Sequence, residues 1–176
     1  LLLLGIAYRD SGKPGQAKKS LDDAMVIYGK LGDRRGRAGA QAMLGSLHLL
    51  TGHHEQADQY LTQALDLFQE LNDRGGAAET LNNCGALALA VGSPGKARAR
   101  YEQARELARE IGSLKDEADA LEGIGSGWLA DAEPGQSAPY LREALDLYTK
   151  LGCHPDAGRV RVTLAGLADP GTGRTE

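Results

Sequence analysis

Apolar side chains recur at intervals of three and four residues, as in Leu61, Ala64, Leu65, Phe68 and Leu71. That interval gathers them on one face of an α-helix and leaves the polar residues between them on the other. The helical stretches are separated by short breaks: Ser-Gly-Lys-Pro-Gly at 11–15, Thr-Gly-His-His-Glu at 51–55, Val-Gly-Ser-Pro-Gly at 91–95 and Asp-Ala-Glu-Pro-Gly at 131–135. Gly12, Gly52 and Gly92 can take the left-handed conformation that closes a helix, and the proline that follows suits the first turn of the next. The breaks stand forty residues apart, and the columns between them agree without a gap. Gly5, Gly45, Gly85 and Gly125 coincide, as do Ala24, Ala64, Ala104 and Ala144, while Leu4, Leu44, Cys84, Ile124 and Leu164 fill one apolar column. The pattern predicts an all-α chain of about nine helices, with contacts only between neighbouring blocks.

The phase places four helix-pair repeats at 1–40, 41–80, 81–120 and 121–160, a closing helix at about 155–168 and a flexible tail at 169–176. Between blocks, Leu31-Gly-Asp-Arg34 and Leu71-Asn-Asp-Arg74 end one helix and open the next. Small residues at the glycine and alanine columns let paired helices approach closely, with Leu or Tyr filling the gaps. Block four is the least regular: Ala132 replaces the turn glycine, Ser137 the packing alanine, and Pro139 falls early in the second helix, so that helix is expected to start irregularly. Gly123, Gly125 and Gly127 in GIGSGW are expected to weaken their helix, since an interior Gly costs about 1 kcal/mol relative to Ala.

Charge and chemistry narrow the function classes. The chain of 176 residues carries a formal charge of -4 with a pI near 5.6, which argues against direct nucleic-acid contact, since that affinity comes from clustered Lys and Arg. Two distant cysteines, Cys84 and Cys153, form no disulfide framework and suit the reducing cytoplasm. No run approaches the ~18 apolar residues of a membrane span, and LLLLGIAY lacks the basic flank of a signal peptide. Gly92-Ser-Pro-Gly-Lys-Ala-Arg98 ends on Gly-Lys, yet it follows a helix and lacks the Ser or Thr of a phosphate loop. His53-His54 has no third metal ligand, and Cys153-His154 sits near a helix boundary where adjacent side chains diverge. Cys84 and Trp128 are assigned to packing. The run Lys96, Arg98, Arg100, Arg105, Arg109, interleaved with Glu102, Glu106 and Glu110, is assigned to a solvated outer face. Neither cofactor, metal nor catalytic group is implied, and the chain is read as no enzyme.

Leu1-x-x-Leu4-Gly5-x-x-Tyr8 followed by Ala17-x-x-x-Leu21-x-x-Ala24 resembles the tetratricopeptide repeat over residues 1 to about 168. The resemblance implies an α-solenoid, a right-handed superhelix. The block is longer than the family's usual ~34 residues, and the proline that commonly ends the second helix is missing at Gly29, Gln69, Arg109 and Thr149, so both helices are expected to be about a turn longer. This form is similar to the carboxyl-terminal arrays of actinomycete-type regulators, to bacterial peptide-receptor arrays and to kinesin light chains.

The resemblance further implies that the first helices line a concave groove for a partner segment. Its inward columns fall on Leu2, Leu3, Ile6 and Arg9; on Ala42, Met43, Ser46 and Leu49; on Glu79, Asn82, Asn83, Ala86 and Leu89; and on Asp119, Glu122, Ser126 and Leu129. Asn83 stands where peptide-receiving relatives carry a backbone-binding asparagine. Leu49, Leu89 and Leu129 beside the acidic and amide residues suit a basic, amphipathic partner segment, unless the leucines only pack between helices. The function implied is a noncatalytic protein-protein interaction module, the sensory or scaffolding end of a transcriptional or signalling regulator. The alternative is a receptor for a small peptide or ligand that changes superhelix pitch. Leu1 and Leu4 are expected to pack on their own second helix and Leu3 and Ala7 to face outward. From this the native protein is expected to continue upstream, to end natively at the tail, and to self-associate weakly through its exposed N-terminal end.

Overall fold

Helix ends are set by backbone chemistry repeated along the chain. The computed structural model describes residues 1–168; the expected tail at 169–176 lies outside the described residues. Helices α1 (Leu2–Asp10), α2 (Pro14–Leu31), α3 (Arg34–Leu50), α4 (His54–Glu70) and α5 (Arg74–Ala90) are followed by α6 (Pro94–Ile111), α7 (Leu114–Ala130), α8 (Pro134–Lys150) and α9 (His154–Ala168). Inside the blocks, Gly12, Gly52 and Gly92 stop a helix at φ of 69°, 76° and 71°. Ala132 is held in the same left-handed conformation at φ 58° despite its β-carbon, so the turn glycine's geometry survives its loss. Between blocks, Asp33 and Asp73 cap α3 and α5 by accepting the backbone N–H of Gly36 and Gly76 at 2.8 and 3.0 Å, satisfying a donor that the first turn leaves open.

The result is an all-α solenoid among the described residues. Consecutive helices pack along the whole chain, and α1, α3, α5 and α7 also touch one another in series, so the first helices of the blocks share one face. The core is a string of local clusters rather than one centre. Leu44, for example, packs with Ala17 and Leu21 of the preceding block, and Ile124 with Ala97 and Tyr101. The glycine column lets paired helices approach closely: a β-carbon at Gly5, Gly45, Gly85 or Gly125 would stand 2.6–2.8 Å from Leu21, Leu61, Tyr101 or Leu141.

Of three sequence expectations, two need amendment and one, the irregular start of α8, is met. Leu1 and Leu4 do not pack as expected; they are 52% and 44% exposed. Leu44 and Ile124 of Leu4's column are buried against the second helix of the block before, and no described helix stands on that side of α1. In α8 the helix runs through Pro139 without a break. Its irregularity is confined to the first turn, where the N–H groups of Gln136 and Ser137 both donate to the Glu133 carbonyl at 3.1 and 3.2 Å. The arginines of α6 are not merely solvated. Arg98 pairs with Asp131, Arg105 with Glu143 at 3.4 Å, and Arg109 with Glu117 and Glu143 at 2.5 and 3.1 Å, tying α6 to α7 and α8.

Candidate partner-binding groove

The first helices place the inward columns unequally. Ala42 and Met43 are buried in the core, so they offer a partner almost no surface. Ser46 accepts from the Arg9 guanidinium at 3.4 Å, and the same nitrogen touches the Met43 sulfur at 3.8 Å. The three leucines are half-buried between helices: Leu49 on Ala57, Leu61 and Leu87, Leu89 on Ala97, Tyr101 and Ile124, and Leu129 on the cluster of Leu121 and Leu141. Packing thus takes up most of the leucine stripe. Ala86 is half-buried on the same face.

Asn82, Asn83, Asp119, Glu122 and Ser126 come together around a cavity of about 310 Å³, joined by Tyr101, Gly123, Tyr148 and Arg159. The last four were not singled out for the groove by sequence. Their signal was Tyr101 standing in a column otherwise occupied by Leu21, Leu61 and Leu141. The ring of Tyr101 spans Gly85 and Gly123, which lets a long side chain from the second helix reach the cavity. The hydroxyl of Tyr148 is shared between Asp119 Oδ1 at 2.7 Å and Glu122 Oε2 at 2.9 Å. Arg159, from the closing helix, holds both oxygens of Glu122 at 2.7 Å, and Lys115 holds Asp119 at 2.5 Å. These carboxylates are therefore already neutralised. Burial, reinforced by Asp119 and Glu122, pushes both tyrosine hydroxyls well above the usual phenol range, so they remain neutral hydrogen-bond donors. The Glu122 hydrogen bond raises Arg159 further.

The amides are differently used. Asn82 donates to the Asp116 carbonyl at 3.1 Å, and its own carbonyl oxygen is buried without a partner. Asn83 donates to the Glu79 carbonyl at 3.2 Å. Beyond them a second hollow, about 540 Å³, is lined by Leu2, Phe68, Asp33, Asp73, Glu79 and Asp116, among others. Asp73 is paired with Arg35 at 2.5 Å. Glu79 and Asp116 make no ion pair among the described residues. The carboxyl of Glu79 reaches solvent, yet loss of surrounding water in the hollow raises its pKa, with Asp116 adding repulsion that Arg9 only partly offsets.

GIGSGW proves to be an adaptation for packing rather than a weak point. Gly123 accommodates Tyr101, Gly125 accommodates Leu141, and Gly127 lies against the stem of Arg98. Arg98 donates to the Gly127 carbonyl at 2.9 Å and lies 4.0 Å from the centroid of Trp128. Cys84, assigned to packing, is only half-buried; it rests on the Ala57 and Leu61 cluster and opens on a different cleft. His53 precedes α4, with Nδ1 2.9 Å from the Thr51 hydroxyl and its ring edge on His48. No group of three or more metal-ligating side chains occurs among the described residues. Cys153 is half-buried beside the Leu121 and Tyr148 cluster.

The tetratricopeptide repeat family matches residues 1–70 and 40–110. Among solved structures, BtubC (BKLC) from P. vanneervenii is similar over 85% of this chain and 62% of its own, with a TM-score of 0.72 at 19% identity. This chain thus spans less than two thirds of that protein. A kinesin-light-chain-type protein of Podosopora anserina, built of nearly identical TPR-like repeats, is similar over 99% of this chain and 95% of its own, with a TM-score of 0.67 at 13% identity. At such identities the likeness is one of fold. No curated protein sequence matches the chain.

Proposed function

The chain belongs to the tetratricopeptide repeat family, and from that premise we propose that it is a noncatalytic module that holds a basic, amphipathic segment of a partner protein along its first helices. Repeats of this family generally mediate protein-protein interaction. The observation that carries the finer reading is the Glu79 and Asp116 pair, two carboxylates that line one hollow without an ion-pair partner among the described residues, with burial and Asp116 raising the pKa of Glu79. A Lys or Arg placed between the two would relieve that repulsion. The neighbouring cavity, lined by Asn82, Asn83 and Tyr101, adds amide and hydroxyl groups beside the segment's path.

Calorimetry with a basic amphipathic peptide and its charge-reversed counterpart tests this. The basic peptide is expected to bind with a salt-weakened affinity, and Asn83→Ala with Glu79→Lys to abolish binding while leaving Tm within a few degrees. Unchanged binding in that variant, or preference for the acidic peptide, refutes the groove reading.

The joints LGDRRGRAGA and LNDRGGAAET support placing the module in a transcriptional or signalling regulator, as its sensory or scaffolding part. A receptor for a small peptide or ligand is the second reading. The cavity of about 310 Å³ falls at the lower edge of small-ligand sites, roughly 300–1,000 Å³. Free thiols at Cys84 and Cys153 suit the cytoplasm, and no described helix is long and apolar enough to cross a membrane. We also propose weak self-association through α1, whose Leu3 is 80% exposed.

A further inference from the structure

The second helices leave a cleft wherever one block meets the next, and the three clefts differ in what fills them. His48, Ala88 and Trp128 share one repeat column; Tyr60, Arg100 and Tyr140 share another. Between α2 and α4, the rings of His48 and Tyr60 stack with centroids 5.5 Å apart. Between α6 and α8, Trp128 and Tyr140 pack on the Tyr101 and Ile124 cluster. Arg98 and Arg105 cover those rings at 4.0 and 5.9 Å. Between α4 and α6 the same columns hold Ala88 and Arg100, so neither ring is present, and a cavity of about 600 Å³ stands in that place.

Its floor is apolar, made of Leu65, Cys84, Leu87, Ala88 and Val91. Burial raises the Cys84 thiol to about 11, so it stays neutral and adds no charge. The walls are opposite in sign: Glu55, Asp58 and Asp66 on α4 face Lys96 and Arg100 on α6. None of these five makes an ion pair among the described residues. In the neighbouring cleft the arginines that cover the rings come from the preceding second helix, whose columns here hold Asp58 and Leu65 on α4; in this cleft the cations able to cover a ring, Lys96 and Arg100, stand on the opposite wall.

We propose that the cleft between α4 and α6 is a second binding site, which takes a tyrosine or tryptophan side chain from a partner polypeptide. The two filled clefts show the occupant's chemistry, because the fold's own answer to this volume is an aromatic ring carried on a chain and met by a cation or a stacked ring. The divided walls set its flanks, a basic residue turned toward α4 and an acidic one toward α6. This site lies on the side of the second helices, away from the groove, and does not depend on the reading given for that groove.

The test is amide chemical-shift mapping on the whole chain with the tripeptide Ac-Lys-Trp-Glu-NH2 and with free indole. Saturable shifts are expected at Cys84, Ala88 and Val91, with a dissociation constant on the order of 1 mM for so small a probe. Ala88→Trp with Arg100→Tyr installs the neighbours' ring pair and is expected to weaken the tripeptide at least about tenfold. Ala88→Leu, a smaller filling, is expected to weaken it in the same direction and serves if the double variant loses its helical circular dichroism. Asn83→Ala with Glu79→Lys is expected to leave binding unchanged. The proposal is overturned if no saturable shift appears at the cleft, if folded Ala88 variants bind as the wild type does, or if indole binds tenfold more tightly than the tripeptide, the mark of a free small-molecule site.

Discussion

The ring of Tyr101 lies directly over Gly123, so close that a β-carbon there would stand inside its van der Waals envelope. A glycine that costs helix propensity is thereby the condition for a tyrosine that reaches the groove. Gly123→Ala should destabilise the chain by about 1–3 kcal/mol despite the better propensity of alanine. Tyr101→Leu, the residue at this column in the other blocks, should remove most of that penalty. Thermal unfolding of the two single variants and the double variant measures the coupling; additive effects contradict the close packing.

Ala132 occupies a left-handed turn that its sister positions fill with glycine. A β-carbon in that conformation costs roughly 1–2 kcal/mol. Ala132→Gly is therefore expected to raise stability by about 1 kcal/mol, although it removes a side chain, and a lowered Tm would show that the strain is absent.

Asp73 caps α5 through Gly76 and pairs with Arg35. Burial alone would raise its pKa, but the accepted Gly76 N–H and the guanidinium outweigh it, and the net shift is downward. A depressed acid stabilises the fold above its unfolded pKa, about 3.9, and that contribution is lost as pH falls through the folded value. Asp73→Ala should cost about 1 kcal/mol near pH 7. The gap to wild type should close below about pH 4 in denaturant titrations; a gap independent of pH would remove the carboxylate from the cap.

At the N-terminal end, Leu1, Leu3 and Leu4 are all exposed, and covering a leucine is worth about 1.5–3 kcal/mol. Light scattering over a concentration series is expected to show weak association of the chain, reduced in Leu3→Glu. A strict monomer at millimolar concentration in both forms would dismiss it.

The periodic features were legible because each is decided within a few residues of itself. The left-handed glycines, the prolines that open α2, α6 and α8, and the forty-residue columns act through local backbone geometry. Where a residue's partner lies on another helix, reading along the chain went astray. Gly123 and Gly127 looked like weak points, and Arg98, Arg105 and Arg109 looked solvated, because their partners stand eight to thirty-eight residues away in sequence. Leu4 shares its column with the buried Leu44 and Ile124, but lacks the preceding helix that covers them.

By itself, then, the sequence determined the helices, their phase and the repeat columns, since hydrophobic periodicity and turn chemistry are properties of short segments. Only the tertiary structure decided what those columns are used for. Met43 is spent on the core, Leu49, Leu89 and Leu129 on packing between helices, and Asp119 and Glu122 on Tyr148, Lys115 and Arg159. Glu79 and Asp116 are left without an ion pair among the described residues, and the cleft over Ala88 is left without a ring. The reason is that neutralisation and filling depend on which side chains from different helices converge at one point, and a forty-residue repeat sets the same address in every block without saying who arrives there.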